Sequence, residues 1–194
     1  MARLVERIFG DYLISTDPAR LDVGAIHGFL RESYWAEGIP RDTVERAIQN
    51  SLCFGGYCRN QQIAFARVVS DYATFAYLAD VFVLAPWRGR GIAKALMAEV
   101  VHHPDLQHLR RWLLGTKDAH GLYQRYGFTA PRFPERQMER SDPGVYRRMA
   151  QGAKAPMTIR KPVVGRPALG VWSPNPSTDR LLAPVSKHGL YNGR

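Results

Sequence analysis

The chain has 194 residues, a formal charge of +10, 45% apolar residues and two cysteines. That length supports one domain with a substantial core and an appendage, while the lack of an apolar run of about eighteen residues excludes a helical membrane span. Met1 to Arg7 breaks its apolar residues with charges and has no signal-peptide core, so a soluble, cytoplasmic protein with no membrane partner is expected.

In chain order, Tyr12-Leu13-Ile14-Ser15 reads as the first strand, closed by the turn-forming Thr16-Asp17-Pro18. Asp22 caps the next segment, in which Val23, Ile26, Phe29 and Leu30 recur at helical spacing. An aromatic loop with one carboxylate follows, Tyr34-Trp35-Ala36-Glu37. Asp42-Thr43-Val44-Glu45 has the capping-box spacing, which predicts a second helix from there to about Asn50.

From Leu52 the period changes. Leu52 to Arg59, Gln62 to Ser70 and Thr74 to Leu84 are three β-like runs with short connections, which favours an antiparallel meander. Cys53 and Cys58 fall in the first of these and lack further ligands at metal-site spacing, so both are read as reduced and no metal site is expected. The third run ends at Pro86, passes through Trp87-Arg88-Gly89-Arg90-Gly91, and restarts as a helix-period pattern with Ile92, Leu96, Val100 and Val101 on one face. Pro104 stops that helix after about His102. Leu109 to Gly115 is the next strand, and strand, helix, strand in this spacing predicts a right-handed crossover and a parallel pair. Thr116 to Tyr126 reads as a short helix, and Phe128 begins a last strand region continued around Glu135 to Arg140. The predicted architecture is α/β, a mixed sheet that is mostly antiparallel with one parallel βαβ step, flanked by helices.

The strand-loop-helix stretch carries the chemistry. Gly89 and Gly91 let the main chain approach a ligand closely, and the first helical amides have no intrahelical partner. Arg88, Arg90 and Lys94 add positive charge where the dipole already favours a phosphate. An ordinary turn with glycines for geometry would show the same residues. The stretch is neither the P-loop nor the three-glycine dinucleotide fingerprint.

It resembles the acetyl-CoA loop of the GNAT N-acetyltransferase superfamily, Arg/Gln-x-x-Gly-x-Gly/Ala, matched by Arg88, Gly91 and Ala93. Downstream, Leu122-Tyr123-Gln124-Arg125-Tyr126-Gly127-Phe128 is similar to the family's Leu-Tyr-x-x-x-Gly-Phe segment. The resemblance covers roughly residues 10 to 142. It implies that the pantetheine of acetyl-CoA lies along Val81-Phe82-Val83, with the pyrophosphate on the amides of Arg88, Gly89, Arg90, Gly91, Ile92 and Ala93 and the Lys94 amide close by. It implies direct acetyl transfer to an amine, with Tyr123 protonating the departing thiolate and Asp80 or Glu37 as general base. A base is needed because an alkylammonium of pKa near about 10 must lose its proton. The aromatic loop commonly borders the acceptor pocket in this superfamily, which places Tyr34 and Trp35 against a small primary amine. Thr116 stands where many members have asparagine, so a side-chain contact to the cofactor there is not carried over.

Residues 150–194 hold six prolines and five glycines, and seven of the chain's basic residues against one acidic. They are read as a disordered basic tail behind a domain of residues 1–149. Dispersed charges with only Trp172 and Tyr191 as aromatics give no expectation of nucleic-acid binding. Competing readings are a CoA-binding regulatory or degenerate module without efficient turnover and a protein N-acetyltransferase; a homodimer is left open.

Overall fold

Alternating side chains on six short strands give the chain two apolar faces to cover, and its helices divide between them. In a computed structural model of the protein, residues 2–152 are described; the expected tail, from residue 153 onward, lies outside the described residues. The strands are β1 (Glu6–Phe9), β2 (Tyr12–Ser15), β3 (Leu52–Cys58), β4 (Gln61–Ser70), β5 (Phe75–Val83) and β6 (Arg111–Leu114). They form one sheet in sequence order. Every neighbouring pair is antiparallel except β5 and β6, which are parallel, as the crossover spacing requires.

The helices are α1 (Val23–Leu30), α2 (Arg41–Gln49), α3 (Ile92–His102), α4 (His120–Gln124) and α5 (Val145–Ala150). Asp22 caps α1 through its Oδ1, which accepts the Ala25 amide at 3.0 Å. On one face, Ile92, Leu96, Met97 and Val100 of α3 are buried against Ile14, Phe54, Ala64, Ala66 and Leu78. At roughly 1.5–3 kcal/mol for each large apolar side chain buried, this helix is a principal source of cohesion. On the other face, Ile26 and Leu30 of α1 and Val44 of α2 pack on Phe65 and Phe82 of the sheet.

Several expectations are corrected. A strand, β1, precedes the expected first one and pairs Phe9 with Tyr12 across a two-residue turn in which Gly10 has φ 56°. All four β1 residues are exposed, so no burial alternation announces it. Helix α2 begins at Arg41 behind Pro40, not at a capping box: Asp42 Oδ1 turns to the adjacent Thr43 amide at 2.7 Å, and Glu45 takes Arg41. Proline with φ −67° already sets the helix entry. Helix α4 is five residues long rather than the eleven expected. Among the described residues no strand follows β6. Residues 129–143 are exposed, and Pro131 and Pro134 remove two of the amide donors a strand would need.

Close backbone packing is concentrated at β3. A Cβ on Gly56 would lie 2.8 Å from Ala64 Cβ on β4. Gly56→Ala is therefore expected to lower stability by about 1–3 kcal/mol through overpacking, seen as a lower urea midpoint with an unchanged m value.

Candidate active site

The site is built at an interruption in β5. Ala64 pairs with Val83 and Phe65 with Phe82, but the next aligned pair is Arg67 with Ala79. Asp80 and Val81 thus oppose the single residue Ala66, which is a β-bulge, and Asp80 takes φ 54° within a strand. The extra residue reverses the alternation. Before it, the even-numbered Ala76 and Leu78 face the α3 side; after it the odd-numbered Val83 does, and Phe82 faces α1.

The bulge coincides with the parting of the parallel pair. The β5–β6 ladder ends at Leu78↔Leu114, and β5 continues for five residues whose β6-facing edge has no partner strand among the described residues. A cavity of about 360 Å³ opens at this fork. Ala79, Asp80 and Val81 line one side of it, Gly115, Thr116 and Asp118 of the β6–α4 loop the other, with Tyr123 of α4 between them. Helices α1 and α2 close the remaining side.

Asp80 is held by donors from two directions. Arg67 Nε of β4 donates to its Oδ2 at 2.7 Å and Trp35 Nε1 of the α1–α2 loop to its Oδ1 at 3.2 Å. Arg67 Nη1 also donates to Ser51 Oγ at 3.1 Å. The side chains of this ion pair are only 18% and 13% exposed, so solvent screens it little. Tyr123 is 8% exposed, and burial, with smaller contributions from the nearby Tyr34 and Asp118, pushes its hydroxyl up to about 12. The hydroxyl therefore stays protonated throughout the working range of an enzyme. Its placement is set by the residues after it. Gly127, at φ 83°, ends α4 with the Phe128 amide donating back to Tyr123 O at 3.3 Å, and the Phe128 ring packs on Tyr123 and Trp112.

Beyond β5 the chain makes a 3-10 turn at Ala85–Trp87 and enters α3 through Gly89 and Gly91, at φ 77° and 81°. A Cβ on Gly89 would meet open space. Among the described residues the amides of Gly89, Arg90, Gly91, Ile92 and Ala93 donate to no backbone carbonyl, whereas those of Arg88 and Lys94 are used by Ala85 and Gly91. Arg88 acts as a strut, its Nε donating to Val83 O at 3.0 Å. The Arg90 guanidinium lies 5.1 Å from the Trp87 ring centroid, and Lys94 is exposed.

The structure thus gathers Tyr123, Asp80, Val81, Tyr34 and Trp35 around one cavity. Phe82 and Val83 turn their side chains into the two cores and offer only backbone. Glu37 is exposed and forms no part of the cavity wall. Arg67, Tyr77 and Tyr146 also line the cavity, and sequence reasoning missed them. Arg67 had a signal: one cation inside the apolar run Ile63 to Val69, in the strand preceding the one that carries Asp80. Among the described residues no group of three or more His, Cys, Asp and Glu could hold a metal. Buried His103 instead donates from Nε2 to Arg3 O at 3.1 Å and accepts the Asp105 amide on Nδ1 at 3.2 Å.

Known proteins bear on this arrangement. Residues 49–130 match the acetyltransferase (GNAT) domain family. A Gibberella zeae protein provisionally named as an acetyltransferase is 34% identical over 59% of this chain and 76% of its own length. A crystal structure from Xanthomonas campestris, provisionally named as a GNAT-family acetyltransferase, is 60% identical, with 70% of this chain and 96% of that chain superposed at TM-score 0.68. A Clostridium acetobutylicum protein provisionally named as an acetyltransferase and solved with acetyl-CoA is 17% identical and superposes over 73% of this chain and 96% of that one at TM-score 0.50, a likeness of fold alone. The chain belongs to the GNAT acetyltransferase family. In the described residues no helix is long and apolar enough to cross a membrane.

Removing the cation of the Arg67–Asp80 pair leaves a carboxylate in a half-closed cavity with one weaker donor. Arg67→Met is expected to cost about 3 kcal/mol in denaturant unfolding, with part of the loss recovered in the Arg67→Met, Asp80→Asn double variant.

Proposed function

We propose that the protein transfers the acetyl group of acetyl-CoA to the primary amine of a small molecule, by direct transfer with acid and base assistance. The observation that carries this reading is the continuity of three elements: the unpaired β5 edge, the outward amides at the start of α3, and a cavity containing a protonated tyrosine.

These residues fit the cofactor. Apart from Val83 O, which accepts from Arg88, the free edge of Ala79–Val83 offers backbone groups for an extended amide-bearing arm to pair with as an added strand would. The amides of Gly89 to Ala93, with positive-φ glycines and the helix dipole behind them, suit a pyrophosphate. When bound, acetyl-CoA supplies the acetyl group as an activated thioester. In the transfer the amine nitrogen gains a bond to the acyl carbon, the carbon–sulfur bond breaks, and one proton leaves the nitrogen while another reaches the sulfur. Asp80 lines the cavity with lone pairs left over from Arg67 and Trp35 and is the proton acceptor in this reading; Glu37, outside the wall, is not used. Tyr123 Oη gives the proton to sulfur, whose intrinsic pKa of about 8.5 makes the help useful without being indispensable.

The cavity's size favours a small acceptor over a polypeptide. The Lys117 amide donates to Tyr34 Oη at 3.0 Å, tying the α1–α2 loop to the β6–α4 loop beside the opening. A regulatory module that binds CoA without turnover is the reading that experiment must separate.

Calorimetric titration with acetyl-CoA is expected to show saturable binding that Gly91→Val loses, because a β-branched residue at φ 81° costs about 1–2 kcal/mol and crowds the helix start. No binding by the parent protein removes the proposal. Tyr123→Phe is expected to lower kcat by about a hundredfold with acetyl-CoA affinity unchanged. Unchanged kcat would take Tyr123 out of the acid role.

A further inference from the structure

We infer that the outer edge of β6 is a docking site for an extended acidic segment of another protein, which adds to the sheet as a further strand. The cavity beside that edge shares no lining residue with the cavity at the β5–β6 fork, so the inference stands independently of the acetyl-transfer reading.

Strand β6 is the last of the sheet, and among the described residues no strand pairs with its outer edge. The Arg111 amide donates inward, to Thr74 O at 3.2 Å. By the alternation of a strand, Trp112 and Leu114 therefore turn their amides and carbonyls outward. These are the main-chain groups that an added strand uses. A cavity of about 600 Å³ lies along this edge. Arg110 to Leu113 form one bank of it, and residues 126–133 with Arg136 form the other. The Phe128 ring meets Trp112 edge to face, with centroids 6.2 Å apart, which gives the groove an aromatic floor.

Charge identifies the occupant. Four arginines line the groove, Arg110, Arg111, Arg132 and Arg136, and no acid does. Among the described residues Arg110, Arg111 and Arg132 enter no salt bridge, and Arg136 has only its exposed neighbour Glu135, at 3.7 Å. The guanidinium carbons of Arg132 and Arg136 lie 5.2 and 3.9 Å from the Phe133 ring centroid, so one ring carries two like charges on the same bank. Cations along an open edge disfavour pairing with the same edge of a second copy. Residues 150–194 of this chain, with seven basic residues against one acidic, have the wrong sign to fill the groove. A segment bearing aspartate or glutamate is attracted from both banks, and main-chain pairing with β6 sets its register.

The test is fluorescence anisotropy of labelled decapeptides titrated with the full chain. One peptide alternates glutamate with valine, a second alternates lysine with valine, and a third is the glutamate peptide with two adjacent central prolines, which remove amide donors from both of its edges. The expected result is saturable binding of the first, with the other two at least about tenfold weaker, and slower hydrogen exchange at the Trp112 amide in the complex. The Arg110→Glu, Arg132→Glu double variant, checked for an unchanged melting temperature, is expected to bind the first peptide at least about tenfold more weakly. Arg110→Gln with Arg132→Gln serves where reversal destabilises the fold, with a loss of about threefold expected. No binding, or binding that survives both double variants, overturns the inference. Equal binding of the proline peptide overturns it by marking a general anion site. A dimer in sedimentation that the same variants dissolve overturns it by marking an interface between copies of this chain.

Discussion

One extra residue in β5 is the constraint from which the site follows. Two residues, Asp80 and Val81, stand opposite Ala66, and the left-handed backbone at Asp80 absorbs the mismatch. The bulge bends the strand just where its parallel partner ends at Leu114, and the two strands part without either losing its core contacts. Because the alternation reverses there, Phe82 reaches the α1 face and stacks on Phe29 with ring centroids 3.9 Å apart, while Val83 stays with α3. Without the bulge, one of these two side chains would face the wrong layer.

The same bulge presents the Asp80 carboxylate to the cavity, and the cost of burying it is met by Arg67 on the neighbouring strand. A β-branched or large apolar residue could not occupy φ 54° cheaply; aspartate tolerates the left-handed region better than most non-glycine residues. Backbone geometry and charge chemistry thus converge on one position. Trp35 joins it from outside the sheet, so the α1–α2 loop is anchored to the strand that would carry the acyl donor. Tyr34 anchors the adjacent point of that loop to the far side of the fork through the Lys117 amide. The α1–α2 loop is therefore tied to both sides of the fork, each by one hydrogen bond.

The second motif, Leu122 to Phe128, divides its labour. Tyr123 enters the cavity, whereas Gly127 and Phe128 terminate α4 and wedge it against Trp112, which fixes where the tyrosine stands. Tyr126 Oη donates to Lys94 O at 2.6 Å and ties that same turn to the start of α3. A motif recognised as one unit thus contributes one side chain to the cavity wall and three supports.

Local pattern alone determined the meander of β3 to β5, the crossover through α3 and the glycine loop, because each rests on periodicity or on a residue type with a single backbone consequence. Resemblance to the GNAT superfamily, and not pattern, singled out Tyr123, Asp80, Tyr34 and Trp35 as candidates. What local pattern could not determine depends on partners distant in the chain. Strand β1 is exposed on every residue and is a strand only because β2 pairs with it. Helix α2 starts at Arg41, directly behind Pro40, because the fixed proline geometry outweighed a side-chain cap. The absence of a described strand after Phe128 follows from prolines and exposure, which the apolar residues nearby concealed. Arg67 was visible as a charge in an apolar run, but its partner could be assigned only once register was known, since a one-residue slip changes which side chains meet.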